Sequence, residues 1–348
     1  MSTLRKLKAY VLGGDSDQSA ELKAADIPVS DADCRTCGIP CDAGHDEYPS
    51  RFDVDMESQM LGSVKPYHRQ LVISTGKSDW EKEVTEADGT LAFYLDAAHG
   101  DAPKKGKKPP PSGSENAVPG VYDSSATRKV TILNGSHNTV CEDPMQDTVL
   151  VFPDYKVVTE VMCSEEGAKQ LWKSLERDGP APAEGSQVKT WVLPYNCVIT
   201  ICSHKRRDNR CGIAAPKLAH TFQESLERAG WEVHTQLEDP SFSSTAFEDT
   251  PGTPAEKDTE FRRRLEAVDS ADQKRMLIIR NSHMGGHKFA GNVIINTPQG
   301  SCVWYGRVTP HEVDAIVKET VIGGKILPPL LRGGINLSRP GAATLHDW

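Results

Sequence analysis

Two short motifs constrain this chain more than anything else in it. Cys202-Ser-His-Lys-Arg-Arg-Asp-Asn-Arg-Cys211 spaces two cysteines with eight residues between them, and His283-Met-Gly-Gly-His287 spaces two histidines with three. Each motif follows an apolar, β-rich run, Cys197-Val-Ile-Thr-Ile and Arg275-Met-Leu-Ile-Ile-Arg280. Both are therefore expected on loops at strand ends. Thiolates and imidazoles suit zinc, copper and iron–sulfur clusters, whereas hard cations prefer oxygen ligands. The eight-residue gap is unlike the tight knuckle of a structural zinc finger. Gly285-Gly286 argues against a zinc-binding helix through His283 and His287, because glycine costs about 1 kcal/mol per helical residue. A loop that admits close backbone approach is the better reading.

The remaining cysteines divide into two groups. Cys34, Cys37 and Cys41 cluster near the start, while Cys141, Cys163, Cys197 and Cys302 are scattered. The scattered four read as small buried hydrophobes. The cluster has the spacing of a labile disulfide or a zinc site, with His45 as the one further ligand nearby. Nine cysteines without a secretory leader argue for thiols and ligands rather than a disulfide framework. A net charge of −9 leaves no basic excess for nucleic acid. No apolar run approaches the roughly 20 residues of a membrane span. Asp15, Asp17 and Glu21 arrive too early for a mitochondrial presequence, so a cytoplasmic location is expected, with mitochondria as the alternative.

The periodicity predicts an α/β protein. Residues 1–60 read as an irregular arm carrying the cysteine cluster. Residues 61–185 form a first unit, with strands around Leu71-Val-Ile73, 129–133 and 147–152, a weak helix within 80–98, and a helix capped by Ser164. An insertion at 100–120, with Lys104-Lys-Gly-Lys-Lys108 and Pro109-Pro-Pro111, reads as disordered. Residues 178–186 read as a linker. The second unit, 186–335, has strands at 196–202, 231–237, 275–280, 293–296 and 302–305. Its helices are expected at 216–229 with Pro216 at the first position, at 261–268, and from the capping box Thr309-Pro-His-Glu312 to Gly323-Gly324. An insertion interrupts it at 239–258, and a tail occupies 336–348. Both units fit a thioredoxin-like order, the first degenerate.

Several stretches resemble the fungal sucrase/ferredoxin-like family, the group containing the actin-patch-distribution protein and its mitochondrial relative. They are Lys65-Pro-Tyr-His-Arg69, Ser74-Thr-Gly-Lys-Ser-Asp-Trp80, Cys202 to Gly212, Ser282 to Asn292, and Trp304-Tyr-Gly-Arg-Val308. The resemblance implies a C-terminal thioredoxin-like ferredoxin domain. It also implies a [2Fe-2S] cluster held by Cys202, Cys211, His283 and His287, in place of the four cysteines of thioredoxin-like ferredoxins. Rieske centres share the two-cysteine, two-histidine set, but alternate the types on each loop. Here His204 has no counterpart after Cys211, and is expected beside the ligands or exposed. Replacing thiolates with neutral imidazoles makes a cluster less negative and raises its potential, and the free imidazole nitrogen can couple proton to electron transfer.

The function so implied is one-electron transfer in redox homeostasis, by a carrier rather than an enzyme with its own substrate. Two alternatives stand beside it: a structural zinc-binding adaptor, and a thiol–disulfide oxidoreductase using Cys34, Cys37 and Cys41. Arg206, Arg207, Arg210 and Lys288 would favour the reduced state or form a docking rim for an acidic, flavin-containing reductase; a solvated loop is the plain reading. Trp304 and Tyr305 are expected to pack the sheet. The final Leu345-His-Asp-Trp348 partly matches a tail read by the cytosolic iron–sulfur targeting complex, with His346 where an aliphatic residue is usual.

Overall fold

The computed structural model describes residues 15–35, 37–38, 41–100, 118–177, 179, 181–183 and 185–348. The Lys- and Pro-rich runs expected as an insertion lie outside these residues. The described chain is a mixed α/β fold in which one pattern occurs twice.

The first occurrence starts with β1, Arg69–Ser74, buried along its whole length as its apolar centre requires. Helix α2, Leu91–Gly100, leads to β3, Val130–Gly135, parallel to β1. β4, Gln146–Phe152, returns antiparallel to β1, and β5, Lys156–Met162, pairs with β4. Helix α3, Glu165–Ser174, follows, with the Ser164 side chain accepting from the Gly167 N–H as its cap. The second occurrence repeats the order. β7, Cys197–Cys202, is followed by α4, Asn209–Arg228, and by β9, Arg275–Asn281, parallel to β7. The hairpin β10, Val293–Asn296, and β11, Cys302–Tyr305, lies antiparallel to β7. A closing helix, α6, begins at Val313–Ala315 and continues as a π-turn through Ile322.

Both halves therefore have the order β-α-β-β-β-α, with the second strand beside the first and the third on the first strand's other edge. They share one sheet, joined where β3 meets β9 at Gly135 and Asn281. Short strands complete it: β2, Val121–Tyr122, and β12, Leu331–Ile335, beyond β11; β6, Lys189–Val192, beyond β5; and β8, Glu232–His234, beside β9. One apolar cluster lies under α4 and α6, a second under α2 and α3, and a third spans the two halves, with Val72, Leu133, Leu277 and Ile279 together.

Several sequence expectations are corrected. Helix α4 starts at Asn209, not Pro216, because Asp208 caps it by accepting from the Arg210 N–H; Pro216 sits inside the helix. Its cost is outweighed by the buried face of Ala214, Ala215, Leu218 and Phe222. The expected 239–258 insertion contains the start of α5, Pro254–Asp269, fixed by a capping box of Thr253 and Glu256. The arm holds a helix, α1, Asp15–Ala24. The helix expected within 80–98 is confined to α2, preceded by a single tight turn at Val84–Glu86. Strands β5, β6 and β12 were not anticipated. In the tail, Leu337 and Leu345 are buried while Trp348 is exposed.

Candidate metal centres

Parallel strands that end in register deliver their following residues to one place. Cys202, last in β7, pairs with Asn281, last in β9, so Cys202 and the loop of His283 emerge side by side. Cys211 reaches them from the first turn of α4, where the helix dipole favours a thiolate. The Cys211 thiol and the His283 ring both lie close enough to the Cys202 thiol to act on its ionisation. The Cys211 thiol and the His283 ring hold the Cys202 thiol well below its usual range, so Cys202 ionises first. Cys211, beside that thiolate and buried, is pushed far up. The rings of His283 and His287 have centroids 5.5 Å apart. His283 Nδ1 is buried without a hydrogen-bond partner.

The surrounding groups fix this loop. The His283 N–H donates to His204 Nδ1 at 3.2 Å, while His204 Nε2 meets the Trp80 carbonyl at 3.0 Å. His204 is therefore buried against the His283 backbone rather than exposed. Gly285 and Gly286 both have positive φ, at 87° and 70°. A Cβ on Gly286 would meet the Arg332 guanidinium at 2.2 Å, so only glycine fits. Arg332 donates to the Gly285 carbonyl at 3.1 Å and to Asn292 Oδ1 at 2.7 Å. Asn292 in turn donates to the Gly286 carbonyl. Burial pushes Arg332 down to about 10, opposed by the nearby Cys202 and Cys211, which leaves it a cation at neutral pH. Two thiols, two imidazoles, an orphaned ring nitrogen and a buried cation fit an anionic metal–sulfur group.

The basic residues around this loop are not a free rim. Arg206 pairs with Asp79 and Glu81, Arg207 with Glu83, Arg210 with Asp208 and Lys288 with Asp55. Trp304 and Tyr305 are buried in the sheet, and Trp304 Nε1 donates to the Tyr67 hydroxyl at 3.0 Å.

A second set joins the arm to the turn before α6. Cys37, Cys41, His45 and His311 place one ligand atom each within 4.8 Å of the others, and this cluster is capable of coordinating a metal. His311 is buried and the other three are half-buried. Cys37 Sγ lies 3.2 Å from His311 Nδ1, and Cys41 Sγ 3.3 Å from His45 Nδ1. Backbone N–H donation from His45 helps hold the Cys41 thiol down to about 7, and burial lowers His311. Both shifts favour the deprotonated forms that bind metal. Cys34, expected with the other two, is instead buried in the core beneath α4 and α6. Of the functions considered from sequence, a metal or thiol role for the N-terminal cysteines is the one this geometry supports most directly. His311 was hidden because it stands in a capping box, Thr309 to Glu312, that has a sufficient structural reading of its own. Of the scattered cysteines, Cys197 and Cys302 are buried as expected, and Cys141 and Cys163 are half-buried.

No helix among the described residues is long and apolar enough to cross a membrane. Known proteins give the chain its context. Residues 60–333 match the model of the sucrase/ferredoxin-like family. Altered inheritance of mitochondria protein 32 of Debaryomyces hansenii is 27% identical over 300 residues, 83% of this chain and 90% of that protein. Actin patches distal protein 1 of Saccharomyces cerevisiae is 30% identical over 316 residues, 88% of this chain and 85% of that protein. An Altered inheritance of mitochondria protein 32 of Saccharomyces cerevisiae is 38% identical over 160 residues, covering 44% and 36%. No solved structure matches. The mitochondrial names of two of these relatives overturn the expected cytoplasmic location. That expectation leaned on Asp15, Asp17 and Glu21, and all three belong to helix α1, which carries no information about a leader. On the family match and the fungal relatives together, the chain belongs to the sucrase/ferredoxin-like family.

Proposed function

We propose that this chain is a mitochondrial, metal-dependent redox protein of ferredoxin type with two centres. The observation that carries metal dependence is the tetrad of Cys37, Cys41, His45 and His311, four ligand atoms within 4.8 Å of one another. The second centre is a [2Fe-2S] cluster held by Cys202, Cys211, His283 and His287. Its support is the convergence of both motifs at one end of β7 and β9, the orphaned His283 nitrogen and the Arg332 cation. When bound, such a cluster supplies a one-electron couple. The chain's own residues do the rest. Arg332 offsets thiolate charge, His204 holds the His283 backbone, and Asp208, near His287, caps the helix bearing Cys211.

The repeated strand order supports two thioredoxin-like units, within 61–185 and 186–335, the second being the ferredoxin domain. A protein redox partner, such as a flavin-containing reductase, completes the reading. Its docking face excludes the internally paired arginines. Visible absorption and iron content of the anaerobically purified full chain test the proposal. Brown protein with iron bound in the chain, lost on Cys202→Ser/Cys211→Ser substitution, supports it. Colourless, iron-free protein after anaerobic reconstitution contradicts it.

A further inference from the structure

We infer that Cys37, Cys41, His45 and His311 hold one zinc-class ion in a closed structural site that staples the N-terminal arm across the loops of the second centre. This rests on the metal-binding reading of the tetrad, and adds the class of ion and its task. Zinc–sulfur and zinc–nitrogen bonds of about 2.3 and 2.0 Å put tetrahedral ligand atoms roughly 3.3–3.8 Å apart. The two sulfur–nitrogen distances of 3.2 and 3.3 Å are close to that edge. A diiron core would spread its ligands in two separated pairs, whereas these four atoms are mutually close.

The outer nitrogens supply the second argument. Both imidazoles turn Nδ1 to sulfur and Nε2 to a carboxylate: His311 to Glu47 at 3.1 Å, His45 to Asp314 at 3.6 Å. Carboxylates placed behind histidines fix the tautomer and strengthen the ligand, a recurring arrangement around zinc. Asp314 is itself held by Ser225 and Arg228 of α4. Four protein ligands leave no open coordination position, which marks a structural site rather than a catalytic one.

The position of the site gives it a task. Residues 25–68 contain no helix or strand among the described residues, so little local structure holds them. The tetrad ties Cys37, Cys41 and His45 of this segment to His311, in the capped turn that leads into α6. Beyond the tetrad, the Tyr48 hydroxyl donates to the Val308 carbonyl at 2.9 Å. The Asp53 carbonyl accepts from Arg210, next to Cys211, and the Asp55 N–H donates to the Lys288 carbonyl, next to His287. The stapled arm thus crosses both the cysteine helix and the histidine loop.

The test uses the full chain with zinc and iron measured separately. Cys202→Ser/Cys211→Ser protein should retain about one zinc per chain, and Cys37→Ser/Cys41→Ser protein should lose it while keeping iron. Cobalt(II) in place of zinc should show tetrahedral d–d bands with thiolate charge transfer. Glu47→Gln, which leaves all four ligands in place, should weaken zinc about 10–100-fold. Chelation should open residues 46–58 to proteolysis and speed cluster bleaching. Zinc content unchanged in Cys37→Ser/Cys41→Ser protein, or a metal-free Cys37–Cys41 disulfide in protein purified with zinc present, would overturn the inference. If that variant does not fold, absence of tetrahedral cobalt bands in the parent chain would do the same. Iron without zinc removes this inference alone; zinc without iron removes the cluster alone.

Discussion

Arg332 is an almost fully buried cation that serves three oxygens, those of Ser63, Gly285 and Asn292, and lies over the Trp304 ring at 5.5 Å. Arg332→Met keeps much of the volume but leaves the Gly285 carbonyl and Asn292 unpaired. Each buried unpaired group costs about 1–3 kcal/mol, so urea denaturation should show a loss of roughly that size or more. His137 is fully buried, and burial pushes it down to about 4 from an ordinary 6.5. The unfolded chain therefore takes up the proton first as pH falls. The contribution of this group to stability should be constant above about 6.5, decline between 6.5 and 4, and level off below, with a loss of up to about 3 kcal/mol. His137→Gln should remove that part of the slope in urea melts at stepped pH; an unchanged slope would contradict the assignment. At this scale the Cys202/Cys211 and His283/His287 motifs stood out as a pair, and the structure brings Cys202, Cys211 and His283 together. His311 and Arg332 did not stand out, since each is brought to its site by tertiary structure from a distant part of the chain.

Helix α4 carries both Cys211 and a large share of the core. Asp208 accepts from the Arg210 N–H as its cap and also pairs with the Arg210 side chain. Asp208→Ala should cost about 1 kcal/mol through the lost cap, read as a lower denaturation midpoint. A neutral result would mean that packing alone fixes the first turn and hence Cys211. The helix was legible from Leu218, Phe222 and Leu226, but its start was misplaced, because Pro216 is a strong local signal and Asp208 a quiet one. β12 was illegible for a different reason. Its Leu-Arg-Gly-Gly-Ile sequence looks like a turn, yet a Cβ on Gly333 would lie 2.2 Å from the Gly120 carbonyl, so the glycine is there to let β2 approach.

The two β-α-β-β-β-α halves meet at one narrow seam beside Cys202. Asn134 and Ser282 exchange bonds across it, with the Asn134 N–H donating to Ser282 Oγ and the Ser282 N–H to the Asn134 carbonyl. Ser136 and Arg280 do likewise. Ser136→Ala/Ser282→Ala should destabilise the chain by roughly 1–3 kcal/mol, mainly through the buried Asn134 N–H left unpaired, with a smaller share from the half-buried Arg280 N–H. Loosening at the seam should also reach the cluster, seen as faster bleaching at unchanged initial iron. Sequence periodicity revealed the α/β class and many of the strands and helices. The sharing of one sheet depends on Gly135 meeting Asn281, a pairing no local pattern encodes. Whether two thiols and two imidazoles hold a diiron cluster is read from EPR of the reduced full chain beside His283→Cys and His287→Cys variants. The parent should give a rhombic signal, shifting toward that of a four-cysteine ferredoxin in each variant. No signal in a parent that holds only zinc, or a signal indifferent to both substitutions, would contradict it.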